Sequence, residues 1–267
     1  MKVRDLLQRV DRVAPFSLAE EWDNVGLMVG DLDAEVSRVG IALDPISEAI
    51  VTAAEQGCQA LLCHHPLLFR PLKKLDLNSD PGRAVREAIK RDVAVLAAHT
   101  NWDCAEGGVN WELAGRLGLI GITPLPSACT IVAVWAAALT SAVYIFALPE
   151  AEALDRFIER VREAWNLTRL DCYAPANCSI LHVALCGGAG SEFWPAARAW
   201  GADIYLTADV KYHELMDATR AGLVVAVADH GEMERVSLPE LARRIGVGGG
   251  IETALIDVRG LSAPIRL

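Results

Sequence analysis

Apolar runs of strand length alternate with segments of helical periodicity along most of the chain. Apolar positions three and four residues apart predict helices, and short uninterrupted apolar runs predict buried strands. The predicted helices span residues 3–13, 47–55, 81–91, 109–117, 150–165, 192–200, 211–221 and 238–245. The predicted strands span residues 36–43, 60–63, 94–98, 179–185, 204–206 and 224–227. This alternation is typical of an α/β fold with a parallel-rich sheet.

The stretch from Leu117 to Pro149 contains no charged side chain and is long enough to cross a bilayer. Prolines interrupt its start, however, and no cluster of Lys or Arg flanks it. Its runs 130–135 and 142–147 have strand length and are rich in β-branched or aromatic residues. We therefore predict two buried strands joined by a short turn, with no membrane span and with apolar surface partly covered by another subunit.

Charge and cysteine content restrict the classes of function. The 267-residue chain has a formal net charge of −10, which disfavours non-specific binding to nucleic acid. Its seven cysteines show no zinc-type CxxC pairs and fall mostly in apolar surroundings, so we expect reduced core residues. The N-terminus predicts an amphipathic helix without the apolar core of a secretory signal. These features predict a cytoplasmic protein.

Candidate metal ligands lie toward both ends of the chain. His64 and His65 follow the apolar run 60–63, and Asp103 lies shortly after a second predicted strand. His230 and Glu234 follow a strand in the second half. Strand ends are where α/β folds place their chemistry, and mixed imidazole and carboxylate ligands suit zinc, iron or manganese better than calcium or magnesium. The two groups would have to meet to form one site.

The segment Cys186–Ser191 contains three glycines, Gly187, Gly188 and Gly190, between a predicted strand and a predicted helix. Glycines at such a turn let backbone N–H groups approach a substrate phosphate. The segment lacks the Gly-Lys-Ser/Thr ending of a Walker loop, so a tight turn without a ligand is the alternative.

Several motifs resemble the NIF3-like family, also called dinuclear-metal-centre proteins or type 2 GTP cyclohydrolase I homologues. The motifs are Glu-Trp-Asp-Asn-Val-Gly-Leu at 21–27, Cys-His-His-Pro-Leu at 63–67, His-Thr-Asn-Trp-Asp at 99–103 and Ala-Asp-Val-Lys-Tyr-His at 208–213. The resemblance spans nearly the whole chain. It implies two similar α/β lobes, 1–125 and 126–267, with a metal cleft between them, and a homo-oligomer, specifically a hexamer. It also implies two divalent ions per subunit, held by His64, His65, Asp103, His230 and Glu234.

Some positions differ from the family pattern. Ala208 and Gly231 stand where the family has glycine and an aromatic residue, and Asp229 stands where it has glycine. Asp229 could be an extra ligand or could bind an imidazole N–H.

Two classes of function remain open. The first is a metal-dependent hydrolase of the cyclohydrolase or phosphoesterase type, acting on a phosphorylated or nucleotide-like substrate, with His99 or His213 as the candidate catalytic proton carrier. The second is a non-catalytic protein that stores, delivers or senses metal. Open coordination positions would distinguish the enzyme from the storage protein.

Overall fold

The computed structural model describes residues 1–124, 143–174 and 178–259. Its helices are α1 Val3–Val13, α2 Ser47–Glu55, α3 Gly82–Arg91, α4 Thr100–Cys104, α5 Val109–Arg116, α6 Leu154–Ala164, α7 Trp194–Ala199, α8 Tyr212–Arg220, α9 His230–Arg235 and α10 Leu238–Gly246. Its strands are β1 Gly26–Val29, β2 Arg38–Ala42, β3 Ala60–Cys63, β4 Ala94–Ala97, β5 Ile120–Pro124, β6 Tyr144–Ala153, β7 Leu170–Tyr173, β8 Ser179–Ala189, β9 Ile204–Ala208, β10 Val224–Ala228 and β11 Glu252–Leu255. Short 3₁₀ turns occur at Phe16–Leu18 and Ser191–Phe193.

The first compact unit contains residues 1–105 together with the C-terminal residues from Leu238 onward. Its sheet has the order β1-β4-β3-β2-β11, in which β4, β3, β2 and β11 are parallel and the edge strand β1 is antiparallel. Every residue of β3 and β4 is buried, as expected of parallel strands covered on both faces. Helices α2 and α3 pack with the sheet around a core that includes Ile50 and Leu61.

The second compact unit contains residues 106–237. Its sheet has the order β5-β6-β8-β9-β10-β7. The central strands β8, β9 and β10 are parallel, whereas the flanking pairs β5–β6, β6–β8 and β10–β7 are antiparallel. The sheet is therefore mixed, with a parallel centre.

The predicted α/β class is confirmed, and most predicted elements agree with the structure to within two residues. Helices α1 and α2 and strand β3 have the predicted bounds. Two predicted bounds are wrong. Helix α6 begins at Leu154 rather than at residue 150, because β6 continues to Ala153 and pairs there with β8. Strand β8 continues to Ala189, so the predicted turn at 186–191 is largely strand.

The uncharged stretch is described only in part. The predicted strand 130–135 lies outside the described residues, whereas residues 144–147 of the second predicted strand belong to β6. None of the described helices is both long and apolar enough to cross a membrane.

The predicted lobe boundary, between residues 125 and 126, also lies outside the described residues. The compact units divide the chain after Ala105 and again after Ser237. The second division arises because β11 pairs in parallel with β2, which returns the C-terminal segment to the first sheet.

Candidate metal centre

In the first unit, three neighbouring parallel strands end beside one another and carry the candidate side chains. Asp44 follows β2, His64 and His65 follow β3, and His99 follows β4. The strands are in register, with Ala42 opposite Cys63 and Cys63 opposite Ala97. The four side chains therefore emerge at the carboxyl edge of the sheet, where open α/β folds bind ligands.

The His64 ring is completely buried and has a defined orientation. Its Nδ1 lies 3.0 Å from the Ala98 carbonyl oxygen. Because a carbonyl can only accept, Nδ1–H is the donor, and Nε2 of the neutral ring carries the lone pair. Nε2 lies 3.6 Å from Asp103 Oδ1, a separation that a divalent ion with bonds of about 2 Å to both atoms would bridge.

His65 is oriented by a carboxylate. Its Nδ1 lies 2.7 Å from Asp44 Oδ1, and both side chains are about one-quarter exposed. A carboxylate on Nδ1 fixes the tautomer and raises the basicity of Nε2 toward a metal. His65 is thus a partly accessible imidazole with a defined coordinating nitrogen.

His99 is held by Asp23, whose side chain is inaccessible to solvent. Asp23 Oδ1 lies 2.9 Å from His99 Nδ1, and Oδ2 accepts hydrogen bonds from the Thr100 backbone N–H and hydroxyl. Burial alone would raise the pKa of Asp23, but the hydrogen bonds from His99 and Thr100 outweigh burial and bring the pKa to about 2. Asp23 is therefore ionised, and it binds the N-terminus of α4 as a capping carboxylate would.

His64, His65 and His99 converge. One ligand nitrogen from each lies within 4.8 Å of the other two, and their ring centroids are 5.1–5.7 Å apart. Asp103 lies one helical turn after His99, and its backbone N–H donates to the His99 carbonyl. Three oriented imidazoles and one nearby carboxylate fit a divalent transition metal.

The second unit brings His230 and Glu234 together on α9. The two residues are four apart and so share one face of the helix, with His230 Nε2 2.9 Å from Glu234 Oε1. His230 Nδ1 lies 2.7 Å from Asp209 Oδ2. Burial alone would lower the pKa of His230, but Glu234 and Asp209 outweigh burial and raise the pKa to about 9.

These residues also lie at the carboxyl edge of parallel strands. Asp209 follows β9 and His230 follows β10, and the last residues of these strands, Ala208 and Ala228, are paired. Asp229 caps α9, since its Oδ1 accepts a hydrogen bond from the Glu232 N–H. From the sequence, Asp229 was a candidate partner for an imidazole N–H. In the structure, Asp209 is the partner of the His230 ring.

The three glycines of the predicted phosphate loop have close neighbours within the second unit. The Gly187 N–H donates to Asn110 Oδ1, and the Gly188 and Gly190 carbonyls accept from Thr207 and Tyr205. A Cβ atom at Gly188 would overlap the Glu234 carboxylate and lie 3.3 Å from His230 Nε2. Phosphate binding by this segment stays a prediction. The Gly187 N–H would not donate to a phosphate, because it donates to Asn110.

The remaining candidate, His213, lies near the start of α8 and is exposed. Its ring contacts Tyr212, with centroids 5.3 Å apart. Among the described residues, no converging group of His, Cys, Asp and Glu side chains includes His213.

Sequence reasoning missed the three carboxylates that orient the imidazoles, namely Asp23, Asp44 and Asp209. Asp44 and Asp209 follow predicted strands closely, so an acidic residue at a strand end was the available signal. Asp23 lies far from any predicted strand, and only its place in the Trp-Asp-Asn motif marked it.

Comparison with known proteins identifies the family of the chain. The model of the Duf34/NIF3 (NGG1p interacting factor 3) family matches residues 1–259. The chain belongs to the Duf34/NIF3 family. The chain is 31% identical over 250 residues to a Clostridium perfringens protein named GTP cyclohydrolase 1 type 2 homolog, covering 92% of this chain and 91% of that protein. A Streptomyces coelicolor protein of the same name is 34% identical over 243 residues, with coverages of 85% and 79%.

Solved structures of family members share the fold. The crystal structure of the Staphylococcus aureus hypothetical protein SA1388 superposes with a TM-score of 0.87, 28% identity and 97% coverage of both chains. Reduced HcgD from Methanocaldococcus jannaschii gives a TM-score of 0.81 and 26% identity, covering 97% of this chain and 98% of that one.

The packing around Gly188 predicts a specific loss of metal affinity in Gly188→Ala. The added methyl would displace the Glu234 carboxylate, so we expect zinc affinity to fall by about 10-fold or more. Zinc titration by calorimetry measures this effect.

The matched control is Gly201→Ala. Gly201 also has a positive φ, +82° against +73° at Gly188, but a Cβ there meets nothing within 4 Å. Both variants should lose about 1–2 kcal/mol of stability from backbone strain, and only Gly188→Ala should lose zinc. Equal zinc affinities in the two variants would contradict the prediction.

Proposed function

We propose that this chain is a metal-dependent hydrolase that holds two divalent ions of the zinc, iron or manganese class. The ligands would be His64, His65 and Asp103 from the first unit and His230 and Glu234 from the second. The observation that carries the proposal is the orientation of the imidazoles. In His64, His65 and His230, Nδ1 is hydrogen-bonded to an oxygen atom, and Nε2 of His64 and of His230 lies beside a candidate carboxylate ligand.

The substrate of the proposed enzyme is phosphorylated or nucleotide-like. The name GTP cyclohydrolase 1 type 2 homolog, carried by the relatives, supports this class of substrate. Bound divalent ions would supply Lewis acidity and lower the pKa of a coordinated water. His65 and His230 are 25% and 29% exposed, so small molecules can reach both imidazoles from solvent.

The chain's own residues provide orientation and proton transfer. Asp44 and Asp209 hold the rings of His65 and His230 in place through Nδ1. Asp23, ionised at any pH above its pKa of about 2, holds His99 in the same way. An imidazole backed by a carboxylate can accept a proton at Nε2 while its imidazolium form is stabilised. His99 therefore suits the role of proton carrier as well as that of a further ligand.

Metal analysis followed by a turnover screen tests the enzyme hypothesis. Wild-type protein is reloaded with manganese, iron, cobalt or zinc and assayed against nucleotides and phosphoesters. We expect metal-dependent hydrolysis of at least one substrate class. Stoichiometric metal without turnover of any substrate would instead support the storage or regulatory alternative.

The variants His230→Ala and His213→Ala distinguish a metal ligand from a residue that does not bind metal. We expect His230→Ala to lose bound metal and with it most of the stabilisation that metal provides, about 3–4 kcal/mol at free metal near 100 to 1,000 times its Kd. His213→Ala should keep its metal content and melting temperature but lose turnover if His213 carries a proton. Elemental analysis and thermal melts are the measurements, and equal metal loss in both variants would mean that His213 is itself a ligand.

Replacement of His99 distinguishes its two possible roles. If His99 is a ligand, as its place among the converging imidazoles favours, His99→Ala should lose metal in the elemental analysis. If it is only a proton carrier, the variant should keep its metal and lose turnover with an altered pH profile. Full metal and full turnover would remove His99 from the site.

We also propose that the chain forms a homo-oligomer, specifically a hexamer. Most of the uncharged stretch 117–149, where the sequence predicts a contact between subunits, lies outside the described residues. Light scattering should give about six times the chain mass of 28.8 kDa. A monomer at micromolar concentration would contradict this proposal. The cytoplasmic location stays a prediction from the sequence.

A further inference from the structure

Two aromatic side chains lie exposed beside the imidazole group of the first unit. Trp22 is 59% exposed and Phe69 is 43% exposed. Their rings meet edge to face with centroids 5.7 Å apart. Large apolar side chains exposed as a contiguous pair commonly mark a binding surface.

His99 connects this aromatic pair to the candidate metal ligands. Its ring centroid lies 6.2 Å from that of Trp22 and 6.1 Å from that of Phe69. The same ring lies 5.3 Å from His64 and 5.7 Å from His65. A flat molecule lying against the aromatic pair would therefore be close to the imidazoles.

The segments that carry the two rings are anchored to each other and to the site. Asn24 Nδ2 donates to the Leu68 carbonyl oxygen at 2.6 Å, which ties the residues beside Trp22 to those beside Phe69. Asp23 binds His99 and Thr100, and the Glu20 N–H donates to the Thr100 hydroxyl. The residues on both sides of Trp22 are therefore anchored. Binding of a ring against Trp22 would cost little entropy for ordering this loop.

We propose that Trp22 and Phe69 form an aromatic wall that binds a planar heteroaromatic ring of the substrate, such as a nucleobase, which stacks on one of the two rings and contacts the other edge to face. This inference rests on the proposed function, because it assigns the wall to the substrate of the same site. Stacking on an indole or phenyl face tolerates many rings, since every base has a π-face. The wall would therefore select for a flat ring rather than for one particular base, and the phosphate would be recognised elsewhere.

The test compares ligands with and without a ring on zinc-loaded protein. The probes are GMP and UMP, which carry a base, and ribose 5-phosphate, which does not. By calorimetry, we expect Trp22→Ala and Phe69→Ala to raise the Kd for GMP and UMP by about 5- to 100-fold. Affinity for ribose 5-phosphate and zinc content should stay unchanged, and Trp22→Phe, which keeps a ring, should recover much of the lost affinity.

The matched control is Trp200→Ala. Trp200 is 50% exposed, but it follows α7 in the second unit. Its replacement removes an equally exposed indole and should change none of the three affinities. Zinc content is measured for each variant before titration.

Several outcomes would overturn the aromatic wall. The first is that Trp22→Ala binds GMP and UMP as tightly as wild type does. The second is that wild type binds neither nucleotide. A loss of ribose 5-phosphate affinity equal to that of GMP would show a general defect of the loop. A smaller particle mass for Trp22→Ala in light scattering would identify the pair as an interface between copies of the chain. Wild-type protein that binds none of zinc, iron, manganese and cobalt would defeat the proposed function. The GMP titration would then test the aromatic wall by itself.

Discussion

The register of parallel strands is the constraint on which the candidate site depends. In the first unit, Ala42, Cys63 and Ala97 lie side by side across β2, β3 and β4. Asp44, His64, His65 and His99 follow within two residues of these positions, so their side chains are near one another before any ligand binds. A slip of one residue in the pairing of β3 would turn each of its side chains to the other face of the sheet. The continuous burial of β3 and β4 stabilises the register, and the metal-binding geometry follows from it.

A second requirement is that each imidazole presents a chosen nitrogen. A neutral histidine has two tautomers, and a metal site needs a lone pair on the nitrogen that faces the ion. Here the choice is made by fixed acceptors: the Ala98 carbonyl for His64, and the carboxylates of Asp44 and Asp23 for His65 and His99. In His230, Asp209 holds Nδ1 and leaves Nε2 beside Glu234. The acceptors come from strand ends and one anchored loop, so the fold itself orients the ligands.

The sequence predicted the central elements of the fold well, and the missed elements have a common physical character. Long amphipathic helices and fully buried strands leave strong periodic or apolar signals. The four strands that were missed, β1, β5, β7 and β11, all lie at sheet edges. Edge strands in this chain are four or five residues long, and their described side chains are largely half-buried or exposed. Such short and partly exposed strands give a weaker signal than the buried central strands.

The same limit applies to the site. The ligand helices α4 and α9, five and six residues long, are too short to show helical periodicity. Tertiary contacts hold α4 instead. Asp23 binds the start of this helix, and the Asn101 side chain donates to the Ala14 carbonyl. The candidate ligands could be identified from residue type and from the family motifs. The pairing of His99 with Asp23 could not, because Asp23 lies 76 residues from His99 in sequence.

Two backbone positions in the second unit shape the surroundings of His230 and Glu234. Asp209 has a φ of +52°, a left-handed conformation that is unfavourable for a residue with a Cβ atom. The side chain of this residue contacts His230 Nδ1. Gly188, with a φ of +73°, provides the space that the Glu234 carboxylate occupies. Glycine adopts a positive φ without strain, so of these two positions only Asp209 carries a conformational cost. The hydrogen bond from His230 thus comes with an unfavourable backbone conformation at Asp209, and the position of Glu234 depends on the missing Cβ atom of Gly188.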